Sequence, residues 1–435
     1  MARWLGSAEM AVNRRRLLAG AGGLAAAAAF GPARLAVAAQ EGAVTITMWG
    51  NHPEWRDPME EILAAFEESH PGVAVEFTAF PANDYPARLQ TAKAGEAPSD
   101  AMGELEGSII TQVRAQAESG GELPFIDLTG KVDISGLTGP ARGQVEVDGV
   151  VYGTPLASYT VGLAYQKAIF AENGVTPPTT WQELRDTARA LQDAGVTPIV
   201  LGARDGIHPY FMYIGLVSSV LGPDGFDDLR SGERSLTDPD LVEAAQLLLD
   251  LQEFYQPGFQ ATDYVTAKAI FANGQGAMEV AGTADFTGFR QVNPEADLGF
   301  LAWPGPEAGM YATTTGMELL YTVSRFAAPE QQAAATQLVA WLATVEAQQL
   351  VSDLIALPVH EGVGESSDPI RQETVAARGL DVTVWYDLPE TAATLDAVSL
   401  AHGGLWTGRL TAQQFAEEIQ ASIVPSAGAA ATPTA

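Results

Sequence analysis

The chain has no cysteine. That rules out structural disulfides, thiolate metal sites, a cysteine nucleophile and lipid attachment at an N-terminal cysteine. Lysine is nearly absent: Lys93, Lys131, Lys167 and Lys268 are the only ones in 435 residues. With 54 Asp and Glu against 23 Lys and Arg, the formal net charge is −31. Such a surface repels nucleic acid and anionic lipid, so neither is an expected partner. Histidine is scarce too. His52, His70, His208, His360 and His402 fall at no i, i+4 spacing, so no histidine-rich metal centre and no cofactor are expected. Past the N-terminal region, no apolar run approaches the roughly 18 residues of a membrane span. No Gly-x-Ser-x-Gly elbow occurs, which argues against an α/β-hydrolase.

What is present is globular: 47% hydrophobic and 18% charged residues, in a chain long enough for two domains or lobes. Arg14-Arg15-Arg16, Leu17-Leu18 and an Ala/Gly-rich run to Phe30 make a basic then apolar leader, closed by Ala36-Val37-Ala38. Residues 1–39 therefore read as an export signal, and Asn13 to Leu18 resembles the twin-arginine type. The Gly20-Ala21-Gly22-Gly23 cluster is no phosphate loop, because no strand precedes it. Residues 425–435 are a Pro/Ala/Thr tail expected to be disordered.

The mature chain alternates strand and helix signals. Val44 to Trp49 has strand character, Met59, Ile62, Leu63 and Phe66 mark one helix face, and Val73, Val75 and Phe77 alternate. This is a β-α-β unit with a parallel pair. Tyr85, Leu89 and Ala92 suit a second helix. Asp148-Gly149 reads as a hairpin turn. Val151 to Leu156 and Val161 to Tyr165 read as two strands. Thr180 is an N-cap, with Glu183 completing a capping box. Helices are expected over Leu241–Phe254, Ala261–Phe271 and Pro329–Thr344, the last with Ala333, Leu338, Val339 and Leu342 inward. Strands are expected over Thr197–Leu201, Leu298–Trp303 and Met317–Ser324. The order argues for α/β lobes.

These landmarks resemble the extracellular solute-binding proteins of ABC importers, in the sugar and oligosaccharide group. The resemblance is carried by Ile46-Thr47-Met48-Trp49, Phe66 to Val73, Asp84-Tyr85, Tyr152-Gly153-Thr154-Pro155, Gly162 to Lys167, Pro177 to Leu184, Phe271 to Met278 and Trp303-Pro304-Gly305-Pro306, in that order. It covers nearly all of the mature chain. Two departures stand out. Pro98-Ser99-Asp100-Ala101 replaces a Pro-Asp-Val, and Gly282-Thr283-Ala284-Asp285 lacks the usual tryptophan platform. The resemblance implies an α/β, two-lobed periplasmic-binding-protein fold of type II, hinged around a central cleft. It places lobe one at 43–157 plus 300–356 and lobe two at 160–298 plus 358–424. Crossings are expected near Ser158-Tyr159, Leu298–Trp303 and Leu357-Pro358. It also implies a monomer that works with ABC permease subunits, exported to the periplasm or the extracellular space and not a lipoprotein.

A sugar needs flat apolar faces and planar polar partners, because each unpaired buried hydroxyl costs about 1–3 kcal/mol. Candidates at strand ends and crossings are Trp49, Asn51, His52, Tyr85, Glu104, Tyr159, Thr160, Thr283, Asp285, Trp303, Glu318, Trp385 and Trp406. Several have a packing alternative. Trp49 also suits a cap on the core, Tyr85 a helix's apolar face, Trp303 a hinge filler, and Trp385 and Trp406 the core of lobe two. The expected function is capture of a sugar or oligosaccharide without turnover, with no catalytic residues. The alternatives are another small solute (a glycerol phosphate, polyamine or amino acid) and a secreted glycoside hydrolase using two carboxylates.

Overall fold

The computed structural model describes residues 43–82, 84–222, 225–377, 381–383 and 391–422. The expected leader 1–39, the tail 425–435 and the candidate Trp385 lie outside the described residues.

The opening unit forms because its two periodicities agree. Val44–Gly50 pairs in parallel with Val73–Ala79, from Val44 opposite Val73 to Gly50 opposite Ala79. Between them helix Arg56–Ser69 buries Met59, Ile62, Leu63 and Phe66. Helix Tyr85–Ala94 buries Tyr85, Leu89 and, one position past the expected Ala92, Lys93. Strand Ala101–Glu104 joins Val44–Gly50 in parallel, with Ala101 opposite Met48. At the hairpin, Asp148 and Gly149 both take positive φ, 53° and 80°, and join Glu146–Val147 to Val150–Val151.

Two long strands organise the rest. The runs read as separate strands on either side of Ser158 are one continuous strand, Gly153–Gln166. Met317–Ser324 was only the second half of Tyr311–Val323, whose first half is too rich in threonine to stand out. They lie antiparallel, from Thr314 opposite Val161 to Thr322 opposite Gly153. Ala101–Glu104 pairs on the far side of Tyr311–Val323, and Met278–Gly282 on the far side of Gly153–Gln166. One sheet therefore runs from the opening unit to Ile199–Val200.

Separate cores cover its two ends. Ile46, Phe66, Leu156, Ala157, Met317 and Leu338 belong to the first. Val161, Tyr213, Leu248, Trp303, Ala312 and Phe415 belong to the second, beside a smaller cluster of Phe271, Phe289, Leu298 and Phe300. The chain leaves the first core between Ala157 and Val161. It returns between Ala312 and Met317, later than the crossing expected at Leu298–Trp303. The apolar run Leu298–Leu301 is instead a buried strand paired with Leu163–Gln166.

Element boundaries shift where caps decide them. The expected helix to Phe254 is Pro239–Asp250 followed by a 3-10 turn, Leu251–Phe254. The helix expected from Ala261 begins at Tyr264, because the Asp263 side chain accepts from Thr266 N and caps it. Thr180 caps Trp181–Asp193 as expected, but Glu183 turns back to Thr179 N (2.7 Å), so the capping box is not closed. In helix Pro329–Leu342 the inward alanines are Ala334 and Ala335, while Ala333 is exposed. Among the described residues no helix is long and apolar enough to cross a membrane.

Candidate functional site

A cavity of about 400 Å³ lies between the two cores, inside the usual size range for small-ligand sites. One wall comes from the turn after the first strand, Asn51 to Glu54, with Pro81 and Ala82. The other comes from Arg204, Asp205 and Ile207, from helix Tyr264–Ala272 through Tyr264, Val265 and Lys268, and from Phe289 and Val292. These positions follow strand ends and helix starts, where an α/β sheet presents its ligand groups.

His52, Glu54 and Lys268 of the cavity wall belong to a chain of alternating charge whose ends, Glu318 and Asp285, lie outside the lining. Glu318 Oε1 accepts from Asn51 Nδ2 (3.1 Å) and lies 3.2 Å from His52 Nε2. His52 Nδ1 meets Glu54 Oε1 at 3.3 Å, and its ring stacks on Trp55 at 4.0 Å. The same Glu54 oxygen accepts from Lys268 Nζ at 3.2 Å. Lys268 continues to Asp285 Oδ1 at 2.8 Å, and Asp285 also accepts from Gly282 N (2.8 Å) and from the Tyr264 hydroxyl. Leu319, directly after Glu318, has φ of 46°. This left-handed residue lies within strand Tyr311–Val323, directly after the carboxylate that meets His52.

Electrostatics follow from that chain. Burial works against a charged His52, but the Glu318 and Glu54 carboxylates outweigh it and push its pKa up to about 9. Burial likewise opposes ionised Glu54, yet His52 and Lys268 hold its carboxyl well below the usual carboxylate range. Lys268 is buried but kept above an ordinary lysine by Asp285 and Glu54, and Asp285 is kept low by Lys268. Behind this chain, Glu279 and His208 are fully buried. Burial and the nearby Asp285 charge raise Glu279 well above the carboxylate range, and burial pushes His208 down to about 4. The pair is 3.8 Å apart, too long for a hydrogen bond, and burial disfavours the charge on both groups, so it is not a salt bridge.

A pH prediction follows for His52. Its folded-state pKa of about 9 lies above its ordinary 6.5. Its contribution to stability is therefore complete below about pH 6.5 and lost as pH rises through about 9. Urea midpoints taken at about pH 6 and about pH 10 should fall further for the natural chain than for His52→Gln. An equal fall in both would remove His52 from the account.

The other expected site residues are distributed as follows. Thr283 is buried and accepts from Thr160 N at 3.1 Å, and Thr160 Oγ1 meets Thr315 Oγ1 at 3.2 Å. Tyr159 donates to Glu106 at 3.2 Å, and Glu106 in turn accepts from Met317 N at 2.8 Å. Tyr159, Thr160 and Thr283 therefore tie the crossing strands together. Four others are brought to no part of the cavity. Tyr85 is buried and donates to Gly103 O at 2.6 Å. Glu104 is 1% exposed and neutralised by Lys93, 3.1 Å from both oxygens. Trp303 is fully buried on Gly215, and Trp406 packs on Phe259 at 5.0 Å in the second core. Trp49 is half-buried, edge-on to Phe80 at 5.2 Å, and lines a shallow groove with Arg88 instead. Sequence reasoning missed Glu54, Asp205, Tyr264 and Lys268. Only the rarity of lysine pointed to Lys268.

Two α/β lobes on a shared sheet, with a cavity between their cores, are the architecture of the hinged small-solute binders. The profile of the bacterial extracellular solute-binding proteins matches residues 61–377, and the chain belongs to that family. It is 24% identical over 341 residues to the multiple sugar-binding protein of Streptococcus mutans, covering 76% of this chain and 78% of that one. A chitin oligosaccharide binding protein superposes with a TM-score of 0.73 at 20% identity, covering 87% of this chain and 98% of its own. The binding protein RafE in complex with raffinose gives 0.73 at 21% identity, covering 88% and 99%. Both are two-lobed solute-binding proteins, and the fold is theirs.

Proposed function

We propose that this protein captures a neutral sugar or oligosaccharide in the interlobe cavity and delivers it, unchanged, to the membrane subunits of an ABC importer. The observation that carries the reading is that every cation of the cavity is already paired with a carboxylate. Lys268 is shared by Glu54 and Asp285, His52 by Glu318 and Glu54, and Arg204 is paired with Asp263. Hydroxyl groups suit such a wall, since fixed carboxylates and amides accept and donate without needing a counter-charge. A glycerol phosphate would need a cation released from one of these pairs. The sugar-binding relatives point the same way. So does the carboxylate chemistry: a glycosidase needs one protonated acid at the substrate. The carboxyl raised most here, Glu279, is sealed from the cavity.

Asn51, His52, Glu54, Asp205, Tyr264 and Lys268 are proposed as the ligand-facing set, with Glu318 and Asp285 holding them in place and Tyr159, Thr160 and Thr283 beneath them at the crossing. Lobe one is proposed as residues 43–157 with the segment from Met317 to 356, and lobe two as 160–312 with 358–424. Export by the twin-arginine route, release without a lipid anchor and action as a monomer complete the reading.

Thermal-shift measurements test it, with raffinose, chitin oligosaccharides and other neutral sugars set against glycerol 3-phosphate, polyamines and amino acids. A true ligand at 100 times its Kd stabilises by about 2.7 kcal/mol. A response confined to the non-sugars would reject the proposal, and so would turnover of a sugar that binds.

A further inference from the structure

We infer that the sugar taken by this cavity carries a methyl group where common hexoses carry a hydroxyl or hydroxymethyl: a deoxyhexose or an N-acetyl sugar. The inference rests on the sugar reading above and narrows it. The wall formed by Asn51, His52 and Glu54 is polar. The other wall is built on helix Tyr264–Ala272 and helix Asp285–Val292, which contribute Val265, Ala269, Gly288 and Val292, with Ile207 beside them. Val265 is 72% exposed and Val292 47% exposed although both line the cavity, so little of the protein covers either. Among the described residues only six large hydrophobic side chains are exposed, and two of them line this one cavity. Exposed apolar side chains gathered in one place mark a contact surface.

This wall is a fixed feature of one lobe. Phe271 and Phe289, with ring centroids 5.1 Å apart, hold its two helices side by side, and Asn293 Nδ2 donates to Ala272 O at 3.2 Å. On the proposed bounds both helices belong to lobe two, so the apolar character of the wall does not depend on how the lobes stand. Its polar groups are engaged. The Tyr264 hydroxyl is held by Asp285, and Lys268 is shared by Glu54 and Asp285. Asp205 accepts from Tyr264 N at 2.9 Å, and Asp263 from Thr266 N at 2.7 Å. A hydroxyl pressed against Val265 and Val292 gives up water and gains no partner from them, whereas a methyl group gains apolar contact. The cavity also lacks an open ring face for the C–H side of a pyranose. No tryptophan lines it, and Phe289 is 1% exposed. The Tyr264 ring carries Lys268 Nζ 4.8 Å from its centroid and meets His208 in a T-shaped contact at 4.9 Å. The apolar contact on offer is therefore aliphatic, which suits a methyl group better than a ring face.

Isothermal titration of the full chain with matched sugars tests this. D-fucose against D-galactose and L-rhamnose against L-mannose form the deoxyhexose arm. N-acetyl-D-glucosamine against D-glucose forms the acetyl arm. Each sugar is also offered as the terminal unit of a disaccharide. In one arm the methyl-bearing member should bind at least about fivefold more tightly, the lower end expected for sparing a buried hydroxyl its lost partner. Val265→Thr combined with Val292→Thr keeps both shapes and adds hydroxyls at exposed positions, where the fold tolerates change. In that variant, with circular dichroism confirming the fold, the pair should bind within about twofold of each other. Sugars that bind with no preference for the methyl-bearing member in either arm overturn this inference alone and leave sugar capture standing. A preference that survives the double variant overturns it as well, because the two valines then do not read the methyl group. If no sugar binds at all, the sugar reading itself fails and this inference falls with it.

Discussion

Trp303→Ala is expected to lower the unfolding free energy by about 3–5 kcal/mol, the range for removing a large buried aromatic. The affinity of the folded protein for its ligand should stay nearly unchanged. The indole is fully buried, and it occupies the space where Gly215, in helix Ile207–Leu221, would carry a Cβ: that atom would sit 2.2 Å from the ring. Gly215 is therefore a packing glycine, which lets the helix approach the strand pair Trp303–Pro304 and Tyr311–Val323. Urea unfolding and ligand titration of the same variant separate the two effects. A variant of natural stability that binds weakly would return Trp303 to the cleft.

Asp285→Ala should cost about as much, roughly 3–5 kcal/mol, for a different reason. Asp285 is 3% exposed and satisfies Lys268, Gly282 N and the Tyr264 hydroxyl together. Removing it leaves a buried ammonium with Glu54 alone and strands two donors. Asp285→Asn should cost less, because an amide oxygen still accepts. The double variant Asp285→Ala with Lys268→Met should recover much of the loss, since the unpaired charge goes with it. A double variant no more stable than Asp285→Ala alone would mean that packing, and not the charge pair, dominates there. Denaturant midpoints of the four proteins decide it.

The sequence made the outer frame legible and concealed the inside of the site. The opening β-α-β unit was readable because its strand and helix periodicities are distinct, and the burial of Met59, Ile62, Leu63 and Phe66 follows from it. The tips of strands were readable as well, which is how Asn51 and His52 came to be named. Which way an aromatic faces was not. Trp303 and Trp406 looked like sugar platforms by residue type, yet each is 5% exposed or less. Composition does not distinguish a ring that stacks on ligand from one that fills a core. Partnerships distant in sequence were equally hidden. Nothing near Glu104 announces that Lys93 neutralises it, and Lys268 lies 214 residues from Glu54. Such pairs exist only once the sheet has brought the lobes together.

The joint between the lobes is a pair of antiparallel strands, hydrogen-bonded from Thr314 opposite Val161 to Glu318 opposite Ala157. A loop hinge swings freely because a few dihedral angles absorb the motion. A ladder of interstrand bonds does not, and gives mainly by changing its twist. On the proposed lobe bounds, such a joint would act as a torsion bar, setting a rest angle and resisting overshoot.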